Sequence, residues 1–188
     1  TCVIFMADHG DWAGEYGLVE KWPSALDDCI ARVPLAIRAP GGAAGHVVDT
    51  PVELFDIAAT MHDLADVPLR HTQFARSLAP QLHGAAGDAD RAAFAEGGYD
   101  RHEPNCFEGR DDGSQAGRTH QNIYYQKGRL QQTHPDSVCR TAMIRTATHK
   151  LIRRHAPGEH ELYDVVADPR ELHNLHDDPA AADVRRDL

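Results

Sequence analysis

Two neighbouring side chains near the start of the 188-residue chain could bind a metal ion. Asp8 and His9 directly follow an apolar run over residues 1–7 and precede a glycine. A carboxylate and an imidazole both offer lone pairs to a divalent cation. On spacing alone, the same residues also suit a glycine turn that carries a surface histidine. The stretch therefore predicts either a pair of metal ligands or a polar turn.

Lys21 could bind an anion a short distance along the chain. It lies in the segment 17–22, which reads GLVEKW. A lysine ammonium is a compact positive charge with three donors, which suits a tetrahedral sulfate or phosphate group. The alternative is a solvated lysine without a ligand, since most lysines lie at protein surfaces.

The elements that must position these residues begin with two strands. Residues 1–7 form a continuous apolar run rich in β-branched residues, which is typical of a strand buried on both faces of a parallel sheet. Residues 33–38 read as a second strand, closed by a Pro-Gly-Gly turn. Because ligands bind beyond the carboxyl ends of strands in open α/β sheets, Asp8 stands where a site is expected.

A helix is predicted over residues 50–65. Thr50 can cap its start, Pro51 suits the first helical position, and Glu53 completes a capping box. Six apolar residues then fall on one face at helical spacing. They are Leu54, Ile57, Ala58, Met61, Leu64 and Ala65. Strand and helix signals that alternate in this way predict an α/β domain.

The second half of the chain has the pattern of a small antiparallel sheet. Short strand-like runs separated by turn residues occupy 91–96, 141–147, 150–153 and 161–166. A last helix is predicted to begin at Asp178, which precedes a proline. A polar segment at about 97–140 is read as a long loop, and such loops are typically functional or disordered. We expect an α/β part over 1–88 and an α+β subdomain over 89–188.

In this order along nearly the whole chain, the segments resemble the sulfatase family of the alkaline phosphatase superfamily. The matching segments are ADHGD (7–11), GEYGL (14–18), Lys21, RVPL (32–35), VDTPV (48–52), DIA (56–58), MIRT (143–146), KLI (150–152) and ELYD (161–164), followed by Asp168-Pro169, Glu171 and Asn174-Leu175. The resemblance implies the C-terminal part of an alkaline-phosphatase-like α/β sandwich. A small antiparallel sheet with a terminal helix would follow it.

The resemblance also implies roles for three residues. Asp8 matches the metal-binding aspartate of the family, and His9 occupies the adjacent position, where asparagine or histidine is found. Lys21 matches the lysine that contacts the sulfate group. The metal is expected to be Ca²⁺, with Mg²⁺ and Mn²⁺ as alternatives, because an imidazole is a poor calcium ligand. His9 could instead donate a proton to the leaving group.

The family's nucleophile is absent from these residues. Sulfatases use a cysteine, matured to formylglycine, in a Cys-x-Pro/Ala-x-Arg setting, and none of the four cysteines stands in one. They are Cys2, Cys29, Cys106 and Cys139. The formylglycine is therefore expected upstream in a longer parent, and this stretch alone is expected to be inactive. The cysteines are read as thiols, with a Cys106–Cys139 disulfide as the alternative.

The leading hypothesis is hydrolysis of a sulfate ester by the full-length parent. Its substrate would be a small anionic molecule, with a sulfated sugar as one candidate. Arg101 and His102 could bind a sugar or carboxylate at the mouth of the pocket, or could belong to a solvated loop. Two alternatives stay open: a phosphonate or phosphate ester hydrolase of the same superfamily, and a non-catalytic remnant that binds an anion or a partner.

The bulk composition argues against two classes of partner. A net charge of −10 is unfavourable for nucleic acid. No apolar run approaches the roughly 20 residues that span a bilayer. An uncovered first strand would favour self-association, so a homo-oligomer is one alternative. The compartment is left open between bacterial cytoplasm and periplasm.

Overall fold

The structure, a computed structural model, describes residues 1–100, 102–103, 124–156 and 160–188. Its described strands form two antiparallel sheets. The strands are β1 (Val3–Met6) and β2 (Leu35–Arg38) in the first sheet, and β3 (Ala93–Gly97), β4 (Thr141–Arg145), β5 (His149–Arg154) and β6 (Glu161–Asp164), in that order, in the second.

Short helices connect and flank these strands. The helices are α1 (Asp28–Ala31), α2 (Asp56–Leu64), α3 (Ala79–Leu82), α4 (Tyr124–Thr133) and α5 (Ala182–Asp187), with 3₁₀ turns at Glu15–Gly17, Pro135–Val138 and Pro179–Ala181. The mixed α/β class, the antiparallel second sheet and the terminal helix are as predicted. Asp178 caps the last helical segment by accepting a hydrogen bond from the amide of Ala180.

Strand β1 exists where it is predicted, but its surroundings differ from the prediction. It pairs antiparallel with β2, with Ile4 opposite Ile37. The side chain of Phe5 is 65% exposed, and Val3 is also exposed. The prediction of a parallel strand buried on both faces is therefore wrong for the described chain. An apolar run indicates that the side chains of a strand are to be buried against other parts of the protein. Among the described residues, no element packs over the exposed side chains of β1.

Helix α2 begins six residues later than predicted, at Asp56. Thr50 does not cap it, and Glu53 makes an ion pair with Arg91 instead of completing a capping box. The carboxylate of Asp56, the first residue of the helix, accepts the amide of Glu53 at 2.9 Å, and no side chain caps the helix at Phe55. Most of the predicted apolar face is exposed, including Met61. The helix instead buries a face that contains Ile57 and the polar residues Asp56 and Thr60.

The core lies on one face of the second sheet. It is formed by Leu26, Met143, Ile152, Tyr163 and Val165. Burial of each large apolar side chain contributes about 1.5–3 kcal/mol. Because Leu26 comes from the first half of the chain, the core fixes the segment that follows Lys21 onto the sheet. The boundary predicted at residue 88 stays a prediction.

The polar segment predicted as a long loop contains helix α4 and a 3₁₀ turn. The sequence of α4, YYQKGRLQQT, is polar on all sides and has a central glycine, so it lacks the apolar stripe that identifies a helix. Cys139, Cys29 and Cys2 are free thiols; the alternative disulfide partner Cys106 lies outside the described residues. No helix in the described part of the chain has the length and apolar character that crossing a membrane requires.

Candidate active site at the end of strand β1

The structure brings Asp8, His9 and Lys21 together where β1 ends. Nζ of Lys21 lies 2.8 Å from Nε2 of His9. Nε2 of His9 is 3.6 Å from Oδ2 of Asp8, and the amide of His9 donates to Oδ1 of the same carboxylate at 3.0 Å. One carboxylate, one imidazole and one ammonium thus form a continuous polar cluster.

The ring of His9 is fixed in one tautomer by its two neighbours. Nδ1 lies 2.8 Å from the carbonyl oxygen of Gly10, which can only accept a hydrogen bond. The proton therefore belongs on Nδ1, and Nε2 keeps the lone pair that accepts from the ammonium of Lys21. The atom that could bind a metal ion or a proton is thus turned toward Lys21.

Asp8 is the accessible member of the cluster, with 85% of its side chain exposed. Its pKa is lowered chiefly by hydrogen bonds from backbone N–H groups, first that of His9, and further by the nearby ammonium of Lys21. The carboxylate is therefore an anion at neutral pH. An exposed anionic oxygen beside an imidazole nitrogen is a suitable donor pair for a divalent cation.

These two donors are a partial set for a metal ion. Among the residues that the structure describes, no group of three His, Cys, Asp or Glu side chains converges on one point. The carboxylate of Asp8 fits Ca²⁺, Mg²⁺ or Mn²⁺, whereas the imidazole of His9 fits Mn²⁺ better than Ca²⁺. His9 could coordinate only if Lys21 released Nε2, since that nitrogen has a single lone pair.

The segment between His9 and Lys21 folds back on itself, and it brings the two residues together. We call residues 10–20 the site loop. The amide of Trp12 donates to the carbonyl of Glu20 at 2.9 Å. Three non-glycine residues in the site loop have positive φ: Ala13 at 47°, Tyr16 at 53° and Glu20 at 63°. Such conformations cost about 1–3 kcal/mol each and persist where the surroundings enforce them.

Lys21 is held from the other side by residues of α4 and the turn after it. Nζ of Lys127 donates to the carbonyl oxygen of Lys21 at 3.0 Å and to the carboxylate of Glu20 at 2.9 Å. The indole of Trp22 donates to the carbonyl of Ser137. The sequence gives no signal for this role of Lys127, because a lysine in a polar helix carries no pattern that identifies the carbonyl it contacts.

A cavity of about 1660 Å³ opens beside the cluster. Asp8, His9 and Lys21 lie in its wall, together with β2 and the edge of β3. The cavity is large enough for a substrate with several sugar-sized groups or for a further part of a protein. It places the three polar side chains at a surface that another molecule can reach.

The other two predicted site residues do not join this cluster. Arg101 lies outside the described residues. His102 has an 84% exposed side chain, and its Nδ1 lies 2.7 Å from Oδ1 of Asp100. It is not among the described residues that line the cavity. Its proposed contact with substrate stays a prediction.

Comparison with known proteins gives a consistent result. A family model for the C-terminal region of N-sulphoglucosamine sulphohydrolase matches residues 105–188. An uncharacterized sulfatase of Escherichia coli strain K12 is 31% identical over 188 residues, which cover 98% of this chain and 30% of that protein. The chain thus spans about a third of the length of the relative it matches.

Solved structures of similar proteins cover the whole chain. A phosphonate monoester hydrolase of Agrobacterium radiobacter is 28% identical with a TM-score of 0.73, and the match covers 100% of this chain and 33% of that one. A protein solved in complex with its substrate D-glucosamine-2-N,6-O-disulfate is 25% identical with a TM-score of 0.68, over 100% of this chain and 32% of that one. Both likenesses extend from the cluster at β1 to α5.

Proposed function

We propose that this chain, which belongs to the sulfatase family of the alkaline phosphatase superfamily, supplies part of the active site of a sulfuric ester hydrolase. The observation that carries the proposal is the 2.8 Å contact between Nζ of Lys21 and Nε2 of His9 beside the exposed carboxylate of Asp8. An anion-binding group and two metal-binding groups meet there. Hydrolysis of an anionic ester needs both kinds of group.

The proposed roles follow from the donors that each residue offers. Asp8 holds a divalent cation through its carboxylate, and His9 joins it through Nε2 when Lys21 turns to the substrate. The cation, when bound, polarises the oxygens of the transferring group. Lys21 places its ammonium on the sulfuryl oxygens and offsets the negative charge that they carry. Release of Lys21 from His9 would therefore couple substrate binding to completion of the metal site.

The nucleophile of the reaction is proposed to lie outside this sequence. No cysteine here stands in the Cys-x-Pro/Ala-x-Arg setting of a formylglycine, and the chain spans about a third of its relatives. Ca²⁺ is the cation that the family resemblance favours, with Mn²⁺ or Mg²⁺ as alternatives because of His9. The cation and the formylglycine are both part of the proposal.

A sulfated sugar is the proposed substrate class. The structural relative bound to a glucosamine disulfate supports it, and the cavity beside Lys21 is wide enough for such a molecule. The second candidate is a phosphonate monoester, since the hydrolase from Agrobacterium radiobacter is similar over the whole chain. Both substrates present a tetrahedral anionic group that an ammonium can bind.

The test is made on the full-length protein. Tandem mass spectrometry is expected to find a formylglycine upstream of these residues. Activity is then measured with an aryl sulfate, a sulfated glucosamine and a phenyl phosphonate monoester. Lys21→Ala is expected to lower kcat/KM for the preferred ester by about 10²–10³, the usual loss when one charge-stabilising donor is removed.

A matched control uses an exposed cation that lies away from the cluster. Arg186→Ala removes a guanidinium that is 70% exposed on α5, and it is expected to leave kcat/KM unchanged. Equal activity of Lys21→Ala and the parent would overturn the role of Lys21. A preference for the phosphonate ester would replace the sulfatase assignment by the second candidate. Inactivity toward all three esters, with no formylglycine present, would favour the non-catalytic remnant.

A further inference from the structure

A fully buried lysine lies beneath the site loop. Lys150 on β5 has no exposed surface. Its Nζ lies 2.6 Å from Oε1 of Glu171 and 3.0 Å from Oδ1 of Asp28. Burial raises the pKa of Glu171 and outweighs the nearby ammonium. At Asp28 burial acts in the same direction, but the charges and hydrogen bonds of Lys150 and Arg145 together exceed it and lower the pKa. Lys150 thus contacts two largely buried carboxylates, and Asp28 is also paired with Arg145 at 3.5 Å. We call Lys150, Glu171 and Asp28 the Lys150 cluster.

The Lys150 cluster fixes helix α1 in place. Asp28 is the first residue of α1, and its amide donates to the second carboxylate oxygen of Glu171 at 2.7 Å. Both the side chain and the backbone of Asp28 are therefore held by the cluster. Loss of the lysine would leave the buried carboxylate of Glu171 without its cation beside Asp28, which would keep only the 3.5 Å ion pair with Arg145. Uncompensated buried charge is costly.

Helix α1 in turn supports the turn that carries Asp8 and His9. The amide of Gly10 donates to the carbonyl of Ile30 at 2.7 Å. The contact is so close that a β-carbon at Gly10 would lie 1.9 Å from the carbonyl oxygen of Cys29. Any displacement of α1 must therefore move the backbone next to His9.

A second connection joins the same part of the chain to the site loop. The hydroxyl of Tyr16 donates to the carbonyl of Arg170 at 2.9 Å, and Arg170 makes an ion pair with Glu15 at 2.8 Å. Glu171 follows directly with a φ of 54°, so the backbone here is in a left-handed conformation that its contacts must enforce. Residues 170–171 thus touch both the tip of the site loop and the Lys150 cluster.

We propose that Lys150 is a positioning residue for the polar cluster of Asp8, His9 and Lys21. It acts through Asp28 and α1 on Gly10, and through Glu171 and Arg170 on the site loop. The ammonium itself is buried and contacts no substrate. The effect on metal binding rests on the proposed function, whereas the effect on the order of the site loop does not.

The experiment compares two buried cations in the full-length protein. Lys150→Met removes the cation of the Lys150 cluster. Arg91→Met is the matched control, because Arg91 is also buried and also pairs with two carboxylates, Glu53 at 2.9 Å and Asp56 at 2.7 Å. Hydrogen–deuterium exchange of peptides covering residues 10–20 is measured for both, together with binding of Mn²⁺ alone.

Lys150→Met is expected to speed exchange in residues 10–20 at least tenfold and to weaken Mn²⁺ binding about tenfold. Arg91→Met is expected to lower Tm comparably and to change neither quantity. Lys150→Arg, which keeps the charge, is expected to restore part of the protection. If Lys150→Met does not fold, Glu171→Gln replaces it with the same expectation, because it removes a charge at nearly constant size.

The two proposals fail in different ways. Unchanged exchange in residues 10–20 of Lys150→Met, or equal changes in Arg91→Met, would overturn the positioning role. Faster exchange together with an absence of Mn²⁺ binding in the parent protein would leave Lys150 as the residue that orders the site loop and would overturn the metal-binding role of Asp8 and His9.

Discussion

The ammonium of Lys21 and the imidazole of His9 are joined by a 2.8 Å contact, although the strained site loop separates them in sequence. The contact links the two tasks proposed for the cluster, in which Lys21 would bind an anion and His9 would offer a lone pair to a cation. Neither residue reaches this position through its own strand or helix. Both depend on neighbours that hold the backbone on either side of the loop.

Lys127 holds the backbone next to Lys21, and its substitution is expected to weaken substrate binding. Lys127→Met deletes the hydrogen bonds to the carbonyl of Lys21 and the carboxylate of Glu20. Because charge-assisted hydrogen bonds contribute about 1.5–3 kcal/mol, KM of the full-length enzyme is expected to rise about tenfold or more, with a smaller change in kcat. Steady-state kinetics measures both constants. Lys127→Arg serves as the control that retains the charge, and an unaltered KM in Lys127→Met would show that Lys21 is held without it.

Gly10 is a second residue whose substitution should disturb the site, because there is no room for a side chain between Gly10 and α1. Gly10→Ala would place a β-carbon 1.9 Å from the carbonyl oxygen of Cys29. Overpacking of this kind costs about 1–3 kcal/mol, so Tm is expected to fall by about 2–12 °C at 2–4 °C per kcal/mol, with a loss of activity. Gly45→Asn is the control, since Gly45 has open space around it and a φ of 67° that asparagine tolerates. Wild-type Tm and activity in Gly10→Ala would contradict the close packing.

Cys29 is expected to be an unreactive thiol. Burial, followed by the charges of Asp27 and Glu171, raises its pKa to about 11 from an ordinary value of 9.0. At pH 8 about one thiol in 1000 is then ionised, against about one in 10 for an ordinary thiol, and only the thiolate is alkylated. Iodoacetamide labelling followed by mass spectrometry should therefore proceed about 100-fold more slowly at Cys29 in the native protein than in urea. Equal rates in the two states would refute this.

Asp164 is expected to contribute stability that depends on pH. The amides of Ala167 and Val166 donate to its carboxylate and lower its pKa in the folded state. Since the folded value lies below the unfolded value of about 3.8, the contribution is complete above that pH and is lost as the pH falls through the folded value. The difference in Tm between wild type and Asp164→Ala should thus be constant at pH 5–8 and shrink below about pH 4. A difference that grows with acid would have the wrong sign, and Asp183→Ala on α5 is the exposed control.

The strands of this fold could be predicted because their signals are local. Each apolar run in the second half of the chain forms a strand of one antiparallel sheet. The runs could be recognised because turn residues separate them along the chain. The start of α2 could not be predicted in the same way. The carboxylate of Glu53, predicted to complete a capping box, instead accepts hydrogen bonds from the guanidinium of Arg91 and the amide of Phe94. Both partners are distant in sequence. Local capping rules cannot anticipate such a competitor.

In the candidate site, too, the residues can be predicted from the sequence but their arrangement cannot. Asp8, His9 and Lys21 were found from residue types and from the order of the segments around them. Their mutual distances depend on positive φ angles in the site loop and on hydrogen bonds to Lys127, and neither leaves a pattern in the sequence. The role of Lys150 was hidden for a similar reason, because a lysine inside an apolar strand reads as an exposed residue until its two carboxylates are located.

Asp28 is synthesised long before Lys150 and Glu171, so its contacts with them can form only late in translation. Asp28 meets Lys150 across 122 residues and Glu171 across 143 residues of sequence. At about 5–20 residues per second, the ribosome needs roughly 7–29 s to make the chain between Asp28 and Glu171. Throughout that interval the turn with Asp8 and His9 lacks its support. A premature stop codon anywhere before Glu171 would therefore release a chain in which the turn of Asp8 and His9 lacks the support of Glu171.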